Sequence, residues 1–136
     1  MVPSITELNE AERARVAESL AALGRSDGDI IALGAAYDAA LRGWMSVPPD
    51  QRPDPNELIT RLGIGFGEHV RRQTGLAWVL AGDEHGAELA LHGQPGDVLL
   101  YPANLVAERW VAGETGVLPG LAAALIERVT GIRERR

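Results

Sequence analysis

The chain reads as an α+β domain: three N-terminal helices, a three-stranded antiparallel meander, then C-terminal helices. Three observations predict it. Apolar residues recur three or four apart from Val16 to Trp44 and again from Leu58 to Val70. The spacing falls to two from Leu76 to Leu91. Helical spacing then returns from Leu121 to Ile132.

The first helix opens on Asn9, followed three residues later by Glu12 in a capping-box spacing; it carries Val16, Leu20 and Leu23 and stops at Gly24. Asp27 is the expected N-cap of the second, whose stripe is Ile30, Leu33, Tyr37, Leu41 and Trp44 and which ends near Ser46. Pro48, Pro49 and Pro53 make residues 47–54 a connector, because proline cannot continue a helix. The third helix, Pro55 to Thr74, has Asp54 at the N-cap, Pro55 at the first position and Glu57 two residues on; Leu58, Leu62, Phe66 and Val70 form its stripe and Gly75 its stop.

Leu76, Trp78 and Leu80 alternate with smaller residues up to the turn Asp83-Glu84-His85-Gly86, and a second strand follows at Ala87 to Leu91. Residues 93–97 turn again into a third strand, Val98 to Tyr101. Asn104 is the expected cap of a short helix through Val111, and Pro119 stands near the start of a last helix with Leu121, Leu125, Val129 and Ile132. Arg133, Arg135 and Arg136 complement its dipole.

Composition excludes several functions. Without Cys there is no disulfide framework, thiolate nucleophile or Cys-based metal site. A net charge of −6 argues against general nucleic-acid binding, and six aromatic residues are too few for a base-stacking platform. All 13 basic residues are Arg, which reflects codon usage more than chemistry. The first twelve residues hold no signal-peptide pattern and no apolar run approaches the roughly 18 residues of a spanning helix, so the expected location is the cytoplasm and no membrane partner is expected.

Chemistry-bearing motifs are sparse. Gly63, Gly65 and Gly67 fall inside a capped helix rather than after a strand, and the chain has no Lys for a phosphate loop; close helix packing is the expected role of Gly63 and Gly67, which share a face. His85 and His92 flank the second strand near Asp83, Glu84 and Glu88 without a recognisable ligand spacing, so no metal is implied. Ser4, Ser19, Ser26 and Ser46 lie in no nucleophile elbow. No catalytic residue and no cofactor is implied.

The skeleton Trp78, Asp83, Gly86, Glu88-Leu89-Ala90-Leu91, Tyr101-Pro102, Val106, Arg109 and Gly113-Glu114, with Leu62-Gly63 and Gly67-Glu68 upstream, resembles a bacterial family, the domain of unknown function numbered 3806. The resemblance covers about residues 58–116. Glu108 stands where that family carries Lys before Arg109, which removes a basic pair. The resemblance implies a small α+β unit without an assigned activity, a turn at Asp83 and Gly86, and pairing of Arg109 with Glu88 or Glu114. Residues 1–136 then read as one domain: a helical N-terminal extension to residue 54, a family-like core at 55–116 and a C-terminal helix from 117.

Two functions stay open. Residues 1–60 hold ten acids against five Arg, which favours a non-enzymatic interaction module with a basic protein partner. The alternative is a small-molecule binder or enzyme with a pocket between helices and meander, lined by Trp78, His85, Glu88, His92, Tyr101 and Arg109 with Glu114 nearby, where Arg109 grips a carboxylate or phosphate. A homodimer stays open because one face of the meander needs cover.

Overall fold

In the computed structural model, which describes residues 3–134, the chain begins with a strand rather than a helix: β1 (Ser4–Glu7). It continues through α1 (Glu10–Leu23), α2 (Ile30–Met45), α3 (Asn56–Thr74), the strands β2 (Ala77–Asp83), β3 (Gly86–Gly93) and β4 (Val98–Leu100), then α4 (Pro102–Val111) and α5 (Leu118–Glu134). The fold is α+β, and the expected three-stranded meander is one part of a four-stranded antiparallel sheet in the order β1-β2-β3-β4. The N-terminal region is therefore not helical throughout. All four residues of β1 are exposed, so it has no buried stripe to announce it. Pairing defines it instead: Ser4 lies opposite Gly82 and Glu7 opposite Val79, and the Ser4 and Thr6 hydroxyls donate to Gly82 and Leu80 carbonyls at 3.3 and 3.4 Å.

Helix starts follow local hydrogen bonding, with small shifts from expectation. The Asn9–Glu12 capping box forms reciprocally, both bonds at 2.8 Å. The cap of α2 is Asp29, whose Oδ1 accepts from the Ile31 and Ala32 amides at 3.1 Å; Asp27 is turned instead toward Arg72. Asp54 accepts from the Asn56 amide at 2.9 Å, so α3 starts one residue later than expected. Tyr101 O receives the Asn104 and Leu105 amides, which starts α4 at Pro102 and leaves the Asn104 side chain free for another partner.

Helix α3 is the centre of the molecule and packs against α1, α2, α4 and α5. Its Ile59, Leu62, Phe66 and Val70 are buried with Leu33, Tyr37 and Leu41 of α2, Val106 and Trp110 of α4 and Leu118, Ala122 and Val129 of α5. Full burial of a side chain such as Phe66 or Leu41 contributes about 1.5–3 kcal/mol. The Tyr37 hydroxyl donates to the Glu114 carbonyl at 2.9 Å, so burial of the ring leaves no unmet polar group there. Burial pushes the Tyr37 phenol up to about 12.

One sheet face meets the helices through Trp78, Leu80, Leu89, Leu91 and Leu100. On the other face Val79, Ala81 and Ala90 form a separate cluster with Leu99 and Tyr101, and no helix residue belongs to it. Arg133 of α5 donates to the carbonyls of Thr74 and Gln94, tying the last helix to the end of α3 and the β3–β4 turn. Among the described residues no helix is long and apolar enough to cross a membrane.

Candidate functional site

Three glycines in α3 set the local geometry. A Cβ on Gly63 would lie 2.5 Å from the Ala103 Cα, and one on Gly67 would lie 2.5 Å from Trp78 Cη2 and 2.8 Å from Pro102 Cγ. The absence of side chains on this face therefore lets the start of α4 and the Trp78 indole lie directly on the α3 backbone. Gly65 does the same on another face for Leu23 and Leu33. The glycine pattern serves packing.

One residue beyond Gly67, Glu68 is buried, 5% exposed. Its carboxylate accepts four hydrogen bonds: two from Arg71 at 2.7 and 2.8 Å, one from Arg72 at 2.8 Å and one from the Trp78 indole N–H at 3.0 Å. Arg72 also reaches Asp27 at 3.1 Å, extending the network to the segment before α2. The Arg71 bonds first, then those of Trp78 and Arg72, hold the Glu68 carboxyl at about 2 against burial, which acts the other way. A carboxylate so fully engaged is a structural anchor at neutral pH rather than a proton acceptor. Sequence reasoning placed Glu68 only in a family-like motif. Its signal was present in Glu68, Arg71 and Arg72, spaced so that both guanidiniums lie above the carboxylate on one helix face.

Pairing of β3 with β4 stops at Leu91 opposite Leu100, so residues 86–90 pair on the β2 side alone. Along this free edge lies a half-open cleft of about 310 Å³, closed on its other sides by α1, α3 and the start of α4. Arg15, Thr60, Trp78, Glu88, Tyr101 and Asn104 contribute its polar groups over an apolar floor that includes Ile64 and Leu89. Asn104 Nδ2 donates to Glu88 Oε1 at 3.1 Å.

Of the residues singled out from sequence, Trp78, Glu88 and Tyr101 meet in this cleft. His85 lies in the β2–β3 turn, its ring exposed and 3.4 Å from Glu84, beside an adjoining cleft that also includes Glu88 and Tyr101. His92 sits toward the other end of β3, opposite Ala77, with its ring 2.9 Å from Asp97. Arg109 pairs with Glu114 at 3.6 Å, and Glu88 bonds Asn104 instead of Arg109. Arg109 and Glu114 line neither this cleft nor the adjoining one. The described residues hold no group of three or more His, Asp or Glu arranged for a metal ion. Arg15, Thr60 and Asn104 were not singled out as ligand-facing: Arg15 reaches the cleft only through the packing of α1 on α3.

The uncovered sheet face is the second candidate surface. Register places Ile5, Val79, Ala81, Ala90 and Leu99 on it, with Glu7, Asp83 and Glu88 at its margins. The four strands contain no Arg.

A family model described as a domain of unknown function (DUF3806) matches residues 45–119. Those residues run from the end of α2 to the start of α5 and include Glu68, Trp78 and most of the cleft lining. Neither the curated proteins nor the solved structures contain a match to the chain.

Proposed function

We infer the function of this chain from two premises: it belongs to the family of the domain of unknown function DUF3806, and one apolar face of its sheet has no helix over it. The reading is a protein-interaction module without catalytic chemistry that docks a basic protein segment on that face. The observation that carries it is the makeup of the surface. Ile5 is exposed and Leu99 partly so, and beside the buried Val79, Ala81 and Ala90 they form an apolar surface, while Glu7, Asp83 and Glu88 rim it with negative charge and no strand residue supplies a cation other than histidine. An apolar surface whose rim is mainly acidic, here with Arg13 of α1 at the Glu7 end, favours partners of the opposite sign. A second copy of this chain would bring three more carboxylates against the same rim, so a basic partner is favoured over a homodimer.

The small-molecule alternative centred on Arg109 has an ion pair with Glu114 behind it rather than a described cleft. The acidity of residues 1–60 serves the interaction reading by steering a cationic partner from a distance.

Amide NMR titration tests the proposal with a peptide of alternating Lys and Val, and with its Glu and Val counterpart as control. Shifts centred on Val79, Ala81, Ala90 and Leu99 with the basic peptide alone, lost in Ile5→Lys/Glu7→Lys, support it. Shifts scattered over the helices, or unchanged by that double variant, overturn it. Sedimentation showing a dimer that buries the same residues replaces the basic partner with a second copy.

A further inference from the structure

We propose that the cleft beside the free edge of β3 binds an apolar dipeptide as its zwitterion, with its carboxylate toward Arg15 and its ammonium toward Glu88. This goes beyond the interaction reading and uses a cleft that shares Glu88 with the rim of the sheet face.

The cleft holds both signs of charge, and they sit toward opposite ends. Arg15 and Thr60 also line a neighbouring groove along α1 and α3, whereas Glu88, Tyr101 and Asn104 also line a groove at the β2–β3 turn. The cation and the carboxylate therefore mark the two mouths of one cavity. Among the described residues neither enters an ion pair: Arg15 has no acidic partner, and Glu88 receives only the Asn104 amide. That single bond fixes Glu88 Oε1 and leaves Oε2 available to a ligand cation.

Between the two ends the floor is apolar, formed by Ile64, Leu89 and the Trp78 ring. The ring cannot swing away, because its N–H is held by Glu68 and its far edge lies on Gly67. Ala87 to Leu89 pair on one side only, so their outward backbone groups add donors and acceptors along the wall. A volume of about 310 Å³ is at the small end for ligand sites, which suits a ligand of two residues. A guanidinium recognises a carboxylate through two parallel bonds, and a carboxylate recognises an ammonium through charge-assisted bonds. The separation of Arg15 and Glu88 across an apolar floor thus matches a ligand charged at both ends and greasy in the middle.

Calorimetric titration of the full chain with leucyl-leucine tests the site, with N-acetyl-leucyl-leucine and leucyl-leucinamide as capped controls and leucine, whose two charges share one carbon, as the short control. Saturable binding of leucyl-leucine is expected, with either cap, or the loss of one residue, weakening it at least about tenfold. Glu88→Gln should lose discrimination against N-acetyl-leucyl-leucine while still rejecting leucyl-leucinamide, and Arg15→Gln should show the reverse. Both side chains are exposed, and circular dichroism confirms that the variants fold. No saturable binding of leucyl-leucine overturns the proposal, as does leucine binding equally well, equal binding of the capped controls or wild-type behaviour in both variants. Glu88 also rims the sheet face, whereas Arg15 does not, so the Arg15→Gln result keeps the outcome distinguishable from the sheet-face titration.

Discussion

The Trp78 indole N–H donates to Glu68 Oε1 at 3.0 Å, joining β2 to the buried face of α3. The same oxygen accepts from Arg71, and the indole packs on Gly67, so one contact fixes helix, strand and cleft floor together. Glu68→Ala leaves two guanidiniums and an indole N–H without their acceptor, and breaking a buried pair in this way costs about 3–5 kcal/mol. Trp78→Phe keeps most of the ring and loses the donor, for about 1–3 kcal/mol. Urea unfolding should rank the two in that order; a Trp78→Phe protein as stable as the parent removes the indole bond as a fastening.

Acid should unfold the protein through the same carboxylate. Glu68 titrates at about 2 when folded against 4.5 when free, so its contribution is complete above about 4.5 and is lost as pH falls toward 2. A shift of that size corresponds to about 3 kcal/mol. His69 adds in the same direction: burial, then the nearby Arg72, lower its pKa, so protonation favours the unfolded chain as pH drops below the ordinary histidine range. At the other end, Tyr37 is raised from 10.0 to about 12, so its share is present below about 10 and disappears as pH climbs through 12. Urea midpoints measured across pH should fall on both limbs, and Glu68→Gln should flatten the acid limb between 4.5 and 2.

Much of the helical framework is legible in the sequence because a stripe such as Leu62, Phe66 and Val70 is a local pattern that the core then uses. The Asn9–Glu12 box is local as well. Strand β1 was not legible: four exposed residues carry no periodic signal, and their pairing depends on β2 arriving from the far side of three helices. The anchor at Glu68 was hidden for a related reason. Glu and Arg at helical spacing look the same on a solvated face, and the partners that set this cluster apart, Trp78 on Glu68 and Asp27 on Arg72, come from distant parts of the chain. The cleft was half legible. Trp78, Glu88 and Tyr101 belong to adjacent strand segments, whereas Arg15 enters from a helix whose position no local pattern encodes.

Two glycine substitutions should have opposite signs. Gly63→Ala drives a methyl group against the Ala103 backbone, which cannot yield without moving α4, and should cost about 1–3 kcal/mol. Gly43 in α2 is exposed with open space around its Cβ position, so Gly43→Ala removes only the helix penalty and should gain up to about 1 kcal/mol. Thermal unfolding of the two proteins decides the matter; equal effects would mean that the α3–α4 contact has slack to absorb a methyl.

Charge reversal separates steering from docking. Glu10 and Glu18 are exposed on α1 and belong to no strand, whereas Glu12 is held in the capping box and its reversal would disturb the helix itself. Charges outside a contact act mainly on encounter, and groups inside it act mainly on release. Glu10→Lys/Glu18→Lys should therefore slow association of the Lys and Val peptide and weaken its salt dependence, with little change in dissociation. Ile5→Lys/Glu7→Lys should speed dissociation, because it places cations within the proposed contact area. Stopped-flow rates at two salt concentrations distinguish the cases. If the α1 pair proves to control dissociation, the partner is seated on the helical front of the molecule, and the open sheet face loses its role.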